Sequence, residues 1–212
     1  MFSKKAPSAK AAESGAADPV VINGDLVLYK NTRLAGNVVV LGDVFGHDGK
    51  GFSLEISGDL TARNVGLKNL ELSGNVRAIS MEVRNLHANN VSLTRELMGD
   101  VVSVNNLTAD EITVQKIDAK GDISADYLFS MKSIKAKDIL VGSLSADTDV
   151  YARNIEAKDS INARDLYYYM ICHARRELRY RHAYPVLKGS RLPFISAEEI
   201  NIKSDIYNEK RE

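Results

Sequence analysis

A sixteen-residue repeat is the feature that most constrains how this chain can fold. From Asp59 to Arg153, a polar residue followed by an aliphatic one returns every sixteen residues, with a single step of fifteen after Asn75. Within each period, aliphatic residues recur every five or six positions, which matches neither a helix nor a simple alternating strand. The repeated pairs are Asp59-Leu60, Asn75-Val76, Asn90-Val91, Asn106-Leu107, Asp122-Ile123, Asp138-Ile139 and Asn154-Ile155.

This repeat predicts a three-sided parallel β-helix, an all-β solenoid with one coil per repeat. Three short strands and three tight corners use about sixteen residues, and each side then points one aliphatic residue into a narrow core. Asp, Asn and Gly before the inward residue suit the corners, because they tolerate left-handed backbone and can bond their own main chain. Counting from Asp25 to about Tyr169 gives roughly nine coils, hence a rod about 40 Å long.

Changes in composition divide the chain into three parts. Residues 1–19 are rich in Ala, Ser, Lys and Gly and lack aliphatic periodicity, which predicts a disordered leader. The β-helix domain is predicted over residues 20–166, beginning with a looser form of the repeat. Within it, the polar segment 47–51 contains two glycines and is expected to bulge from a corner.

The pattern breaks after Leu166, so residues 167–212 are predicted to form a C-terminal extension. Leu166, Met170, Ala174 and Leu178 lie four apart, which predicts a helix ending before Pro185, followed by a short strand and a charged tail. The helix could cap the open last coil. Alternatively, arginines interleaved with tyrosines could bind an anionic partner, either lipid headgroups or nucleic acid. The arginines of that alternative site are Arg175, Arg176, Arg179 and Arg181.

Composition narrows the function classes. The 28 basic and 28 acidic residues balance, so no global field favours nucleic acid or an acidic substrate. The single cysteine, Cys172, cannot form an internal disulfide and is expected to be a buried thiol. Neither a long apolar run nor a secretory signal is recognisable, which predicts a cytoplasmic protein and disfavours secreted β-helix lyases and adhesins.

The sequence predicts no enzyme, metal or cofactor site. The four histidines, His47, His87, His173 and His182, share no repeat register, whereas a trimeric β-helix carbonic anhydrase needs metal-binding histidines at coil-related spacings. Left-handed hexapeptide acyltransferases keep a strict six-residue phase, which this chain does not. The serines lack a paired histidine and acid.

The beginning of the chain and its repeat resemble the bactofilins, a bacterial family of polymer-forming cytoskeletal proteins. The similarity lies in the start Met-Phe-Ser-Lys-Lys, the short leader and phrases of the form aliphatic-x-Gly-Asp-aliphatic, as in Ile56 to Leu60. It covers residues 1–5 and 20–166. The resemblance implies a right-handed β-helix that joins end to end into nonpolar filaments without nucleotide and that positions cell-wall or other envelope proteins.

The same resemblance implies that the leader binds the inner face of the membrane. Met1 and Phe2 match the inserting residues, and Lys4 and Lys5 match the cations that meet anionic headgroups. Judged from the residues alone, the alternative is an ordinary solvated leader. A single anchor of this size is weak, but many of them along one polymer would bind strongly.

Self-assembly would depend on the two ends of the rod, where unpaired backbone and aliphatic core are open. We predict contact residues among the apolar side chains of the terminal coils. They are Val20, Ile22, Leu26 and Leu28 at one end, and Ile161, Leu166 and Tyr168 at the other.

Three features depart from the bactofilin pattern. The period is slightly short, the alanine-rich corners are similar to pentapeptide repeats, and a Tyr/Arg-rich extension replaces the usual short polar tail. Pentapeptide-repeat proteins place alanine two residues before the central aliphatic, whereas here it lies three before, as in Ala109 and Ile112. The alternative function is a monomeric or small-oligomer binding module that uses the basic Tyr/Arg segment.

Overall fold

A computed structural model describes residues 18–49, 51–186 and 193–202. Over these residues the chain winds into a parallel β-solenoid of about ten turns. The predictions for Met1, Phe2, Lys4 and Lys5, and for the leader up to residue 17, lie outside the described residues.

Strands of two to twenty residues make up the coils. The only helical turn in the described part of the chain is a 3₁₀ turn at His47–Gly49. The first eleven strands are β1 (Val20–Ile22), β2 (Leu26–Leu28), β3 (Thr32–Leu34), β4 (Val38–Val40), β5 (Val44–Gly46), β6 (Ser53–Ile56), β7 (Leu60–Thr61), β8 (Asn64–Leu72), β9 (Val76–Ala78), β10 (Ser80–His87) and β11 (Asn90–Leu93). The others are β12 (Glu96–Val104), β13 (Asn106–Thr108), β14 (Glu111–Ala119), β15 (Ile123–Ser130), β16 (Ile134–Lys135), β17 (Asp138–Ala157), β18 (Ser160–Ala174), β19 (Glu177–Tyr180), β20 (His182–Pro185), β21 (Phe194–Ser196) and β22 (Glu199–Ile202).

The strands form three faces, as the repeat predicts. We name them A, B and C after the faces that begin with β1, β2 and β3. In the first coils each strand pairs in parallel with the strand one coil further on: β1 with β4, β2 with β5, and β3 with β6. Later strands run around the corners, and β17 covers faces A, B and C and returns to A.

The predicted inward aliphatic residues form the core. From Leu60 to Leu166, all twenty-one of them are at most 2% exposed. On face A, for example, Leu107 pairs with Ile123, which pairs with Ile139 one coil later. Fully burying one such side chain contributes about 1.5–3 kcal/mol, so these rows are the main source of stability. The structure therefore confirms that the predicted residues point inward on every face, and it adds a second inward residue two positions later on many strands, such as Leu67 after Val65 and Val114 after Ile112.

Asn and Asp side chains link successive coils at the corner between faces C and A. Asp59 accepts hydrogen bonds from the backbone and side-chain amides of Asn75, at 2.7 and 3.1 Å. Asn90 then donates to Asn75, and Asn106 donates to Asn90, each at 2.7 Å. We expected these residues to bond their own main chain, but the bonds described for them run to the adjacent coil. They therefore fix the register between coils as well as the turn.

The predicted helix after Leu166 is wrong, because the solenoid continues through this segment. β18 runs on to Ala174, and β19 to β22 add further strands to all three faces. Leu166, Ala174 and Leu178 are all buried, but they point inward from faces C, A and B respectively. Within a strand, inward residues are two apart, and across a corner they are often four apart, as from Ala174 to Leu178. A separation of four residues is also the spacing of one helical turn, so the pattern was mistaken for a helix. The β-forming tyrosines around Tyr168 favour the strand.

Because Ile123 lies in the apolar core, we predict that a charged residue at this position strongly destabilises the fold. Replacing Ile123 with Asp should lower the free energy of unfolding by several kcal/mol, since the carboxylate would enter a core one side chain wide. Ile123→Val, which removes one methylene, should cost only about 0.5–1.5 kcal/mol. Denaturant unfolding followed by far-UV circular dichroism measures both, and an Ile123→Asp protein as stable as the Val variant would contradict the solenoid core.

Candidate assembly surfaces at the two ends of the rod

The first coil forms one open end, which we call the N-terminal rim and define as β1, β2 and β3. No described strand pairs with their outer edges, because each bonds only to the second coil. Val20 and Val21 are 47% and 55% exposed, and Ile22, Leu26 and Leu34 are partly buried. This rim therefore presents aliphatic side chains together with strand edges.

Backbone hydrogen bonds show which amides of this rim face outward. The N–H groups of Val20 and Leu26 each donate to the second coil at 2.8 Å, and the carbonyl of Leu34 accepts from Ser57 at 3.1 Å. Neighbouring residues of a strand direct their amides to opposite sides. Val21, Val27 and Arg33 therefore direct their N–H and C=O groups away from the rod, where another strand could pair with them.

Glycine keeps the corners of the N-terminal rim tight. Gly24 and Gly36 adopt left-handed backbone, with φ of 98° and 76°. At Gly58, one coil above Gly36, an added Cβ would lie 2.6 Å from the carbonyl carbon of Gly36. Side chains are thus excluded from this corner, and the coils stack there backbone against backbone.

The opposite end, which we call the C-terminal rim, consists of β20, β21 and β22. These strands pair with β18 and β19 beneath them, and no described strand covers their other edges. Phe194 and Ile202 are 59% and 64% exposed, and Tyr184 and Ile200 are exposed beside them. Both ends of the described rod are therefore apolar and open.

The residues predicted to make contacts at this end are not at the end. Ile161 lies beneath Leu178, Leu166 beneath Ala183, and Tyr168 beneath Pro185, and all three predicted residues are buried. They were misplaced because the solenoid continues past the point where the aliphatic pattern breaks. The other four predicted residues, Val20, Ile22, Leu26 and Leu28, lie in the first coil, although Leu28 is already buried.

The four arginines of the predicted anionic site lie in different places around the coil. Arg175 and Arg176 lie at the corner between faces A and B, Arg179 lies on face B, and Arg181 lies at the next corner. Arg176 lies 3.2 Å from Asp159, and Arg179 bonds Glu177. The hydrogen bond from Arg179 lowers the pKa of Glu177. Acids therefore balance part of the positive charge of this segment.

Three tyrosines form a stack on the outside of face C that the sequence analysis missed. The rings of Tyr151 and Tyr167 lie 4.3 Å apart, those of Tyr167 and Tyr184 lie 4.7 Å apart, and both pairs are nearly parallel. Their spacings of sixteen and seventeen residues equal one coil, which is the signal that could have revealed the stack. It ends at the C-terminal rim, where Tyr184 is exposed.

A carboxylate beside this stack carries a cluster of hydrogen bonds. Asp165 lies 2.9 Å from Nδ1 of His182 and accepts a bond of 3.0 Å from Arg164. Burial raises the pKa of Asp165, but the hydrogen bonds from His182 and Arg164 outweigh it and leave the pKa below its ordinary value. Asp165 is thus held ionised, and it ties the last coils together on face C.

The bulging segment predicted at 47–51 lies between faces B and C of the second coil. Val44 pairs with Val65, twenty-one residues later, and the 3₁₀ turn accommodates part of this longer coil. Beside the turn, a shallow depression of about 970 Å³ runs over face B past Gly66 and Met98.

The histidines lie in separate surroundings. His173 lies 2.8 Å from the hydroxyl of Ser196, His182 lies beside Asp165, and the ring of His47 lies 4.4 Å from that of Tyr29 at a tilt of 33°. Among the residues that the structure describes, no group of three or more His, Cys, Asp or Glu side chains could hold a metal ion. The described chain also has no helix of the length and apolarity needed to cross a membrane.

We compared the chain with models of protein families, with curated proteins and with solved structures, and none of them matches it. The exposed strand edges and apolar side chains of the two rims are the surfaces through which this chain can bind a partner.

Burial of Cys172 predicts an unreactive thiol. Cys172 is fully buried between Ile155 and Ile195, and burial raises its pKa to about 12. Because the thiolate is the nucleophile, iodoacetamide at pH 8 should leave the native chain unlabelled and should label it once in denaturant. Mass spectrometry measures this difference, and rapid labelling of the native chain would contradict the burial of Cys172 in the core.

Proposed function

We propose that this chain is a non-enzymatic cytoskeletal scaffold that assembles end to end into filaments without nucleotide, as its resemblance to bactofilins implies. The observation that carries the proposal is the pair of open rims, each of which combines exposed aliphatic or aromatic residues with strand edges. Open edges of this kind are templates for pairing with another chain.

The ends also supply the shape that a filament needs. A rod with an adhesive surface at each end forms an open polymer, whether unlike ends join or like ends alternate. Burial of exposed apolar residues such as Val21, Phe194 and Ile202 would favour each contact by about 25 cal/mol per Å² of apolar surface. Assembly therefore requires neither a nucleotide nor a second protein.

The long sides of the rod offer a weaker basis for association. Their charges have both signs and are partly paired within the chain, as in the 2.9 Å bond from Arg63 to Asp43 and the 3.0 Å bond from Arg153 to Asp138. Exposed pairs of this type contribute about 0–1 kcal/mol and keep a surface solvated. Exposed apolar residues such as Met98, Met131 and Leu140 also lie on the sides, but the strands there are hydrogen-bonded on both edges. Only the rims combine apolar side chains with unpaired strand edges, so contact through the ends is favoured over lateral bundling.

The alternative function is a monomeric or small-oligomer module that binds lipid or nucleic acid through the Tyr/Arg segment. It has less support, because Arg176 and Arg179 have acidic partners and the four arginines lie at separate places around the coil. Sedimentation at physiological salt distinguishes the two functions. A scaffold pellets as polymer, whereas the module stays small and shows salt-sensitive binding to anionic ligands.

A charge in the first coil should disperse the polymer. Leu26 is partly buried on the N-terminal rim, so Leu26→Arg would place a cation in an end contact while the rest of the rod stays folded. Leu140 is exposed on the outside of face A and provides the matched control Leu140→Arg. Negative-stain images should show filaments for the control and short particles for Leu26→Arg. If a folded Leu26→Arg variant still formed filaments, the N-terminal rim would not be a contact in assembly.

We further propose that the filament lies at the inner face of the membrane, held by Met1, Phe2, Lys4 and Lys5, and positions envelope or cell-wall proteins there. A weak anchor on every subunit becomes strong when many act together along one polymer.

Deleting residues 1–5 tests this attachment. The full chain should co-sediment with anionic liposomes, and the deletion should reduce the bound fraction severalfold while filaments persist. A Lys4→Glu/Lys5→Glu variant separates the electrostatic part, which should weaken as salt rises. If all three proteins bound the liposomes equally, the leader would have no role in membrane attachment.

A further inference from the structure

The depression on face B is a groove with apolar side chains along the side of the rod. Phe45, Met98 and Met131 line it, and all three are exposed. Successive coils place the outward residues of this face in one row, which runs from Phe45 through Gly66 to Phe129 in five steps. At about 4.8 Å per step the groove is about 24 Å long, which matches about seven residues of extended chain.

A notch at Gly66 gives this groove room for one large apolar side chain. A Cβ added at Gly66 would have the Cβ of Phe45 as its nearest neighbour, at 4.0 Å. The row of outward side chains therefore has a gap between Phe45 and Glu82, the residues that pair with Gly66 from the coils on either side. Because Phe45 borders this gap, an inserted aromatic ring can pack against it.

Three carboxylates lie beyond the notch, and we call them the acidic row. Glu82 lies in the coil after Gly66, and Glu96 and Glu111 are register partners in the two coils that follow. Over the ranges that the structure describes, none of the three takes part in an ion pair. The basic residues Lys68 and Arg84 line the groove on the side toward face C. A segment with an apolar anchor followed by cations would therefore match the notch and the acidic row in turn.

The leader of this chain has that pattern. Met1 and Phe2 are apolar, and residues 3–10 contain three lysines and no acid. The tail after Ile202 has three basic and three acidic residues in balance, and it leaves the rod at the C-terminal rim. The leader instead joins the rod at Val20, two coils or about 10 Å from the notch. Residues 1–17 can span up to about 60 Å when extended, so they reach the groove.

We propose that the leader docks into the groove on face B, with Phe2 in the notch at Gly66 and its lysines along the acidic row. Exposed ion pairs add little affinity, so a free peptide of this sequence would bind weakly. A tethered segment has an effective concentration of about 1 mM, however, and this favours the docked state if the free peptide binds with a dissociation constant below about 1 mM.

Docking and membrane attachment use the same residues of the leader. Phe2, Lys4 and Lys5 cannot contact the groove and anionic headgroups at the same time. A single subunit therefore keeps its leader on the rod, whereas a filament at a membrane releases many leaders together, because their combined binding is much stronger. This consequence rests on the proposed filament and its membrane attachment, but the docking itself does not.

A fluorescent reporter at the anchor position tests the docking. The chain contains no tryptophan, so Phe2→Trp introduces a single one. The measurement is acrylamide quenching of its emission in the full chain, at concentrations below those at which filaments sediment. A free peptide of residues 1–17 with the same substitution gives the value for an undocked leader.

Two changes in the groove are combined with this reporter. Gly66→Leu fills the notch, and the 4.0 Å clearance at Gly66 admits the new side chain without displacing the backbone. Glu96→Gln/Glu111→Gln removes two charges of the acidic row and keeps the size of the side chains. Glu71→Gln/Glu156→Gln is the matched control, because it makes the same charge change on faces C and A.

We expect the reporter to be quenched severalfold less in the full chain than in the free peptide. Gly66→Leu should raise the quenching constant to that of the peptide, and Glu96→Gln/Glu111→Gln should raise it about twofold, because ion pairs at the surface are individually weak. The control should leave it unchanged. Dilute Gly66→Leu subunits should also bind vesicles of phosphatidylglycerol and phosphatidylcholine severalfold more than dilute wild-type subunits.

Quenching in the full chain that equals quenching in the peptide would overturn the docking and show a solvated leader. Protection that persists in both groove variants would also overturn it, and if Gly66→Leu failed to fold, Glu96→Gln/Glu111→Gln would decide alone. Filaments that still bound the vesicles would in either case leave the proposed function intact. Conversely, a protected reporter in a chain that neither forms filaments nor binds vesicles would support the docking and overturn the proposed function.

Discussion

The hydrogen-bonded ladder between successive coils is the interaction on which the rest of this structure depends. Each strand bonds to the coil before it and the coil after it, so side chains of equivalent residues come into line about 4.8 Å apart. That alignment produces the buried aliphatic rows, the Asn and Asp links at the corners and the tyrosine stack. It also leaves unpaired edges at both ends of the described rod, because the ladder can be completed only by more coils.

The corners keep the ladder in register. Asp43 accepts hydrogen bonds from Arg63 and from Asn64 in the next coil, and the bond from Arg63 is the main reason that its pKa lies below the ordinary value. Such links join side chains that are far apart in sequence but adjacent along the rod. A slip of one residue would break them and would turn the inward aliphatic residues outward. The same contacts therefore stabilise the coil and fix its register against the next one.

The sequence was sufficient to predict the solenoid, its three faces and one row of inward residues on each face, since those positions repeat with little variation. It did not reveal the second inward position on many strands, occupied for example by Leu67 and Val114. It misled us after Leu166, where inward residues such as Ala174 and Leu178 have helical spacing but belong to different faces. The contact residues assigned to that end were consequently misplaced, Leu166 and Tyr168 by one coil and Ile161 by two. The outward direction of the amides of Val21, Val27 and Arg33 depends on pairing register, which no local pattern encodes. The tyrosine stack, by contrast, was visible in the spacing of Tyr151, Tyr167 and Tyr184.

These features together describe a rod whose backbone is hydrogen-bonded from coil to coil along its length and unpaired at both described ends. The most direct measurement of that claim is cryo-electron microscopy of the purified chain at physiological salt without nucleotide. We predict filaments one rod wide, in which each subunit spans about 50 Å, since about ten coils stack at about 4.8 Å, and in which neighbouring subunits touch only at their rims. Discrete single rods, or sheets joined along the faces, would contradict it.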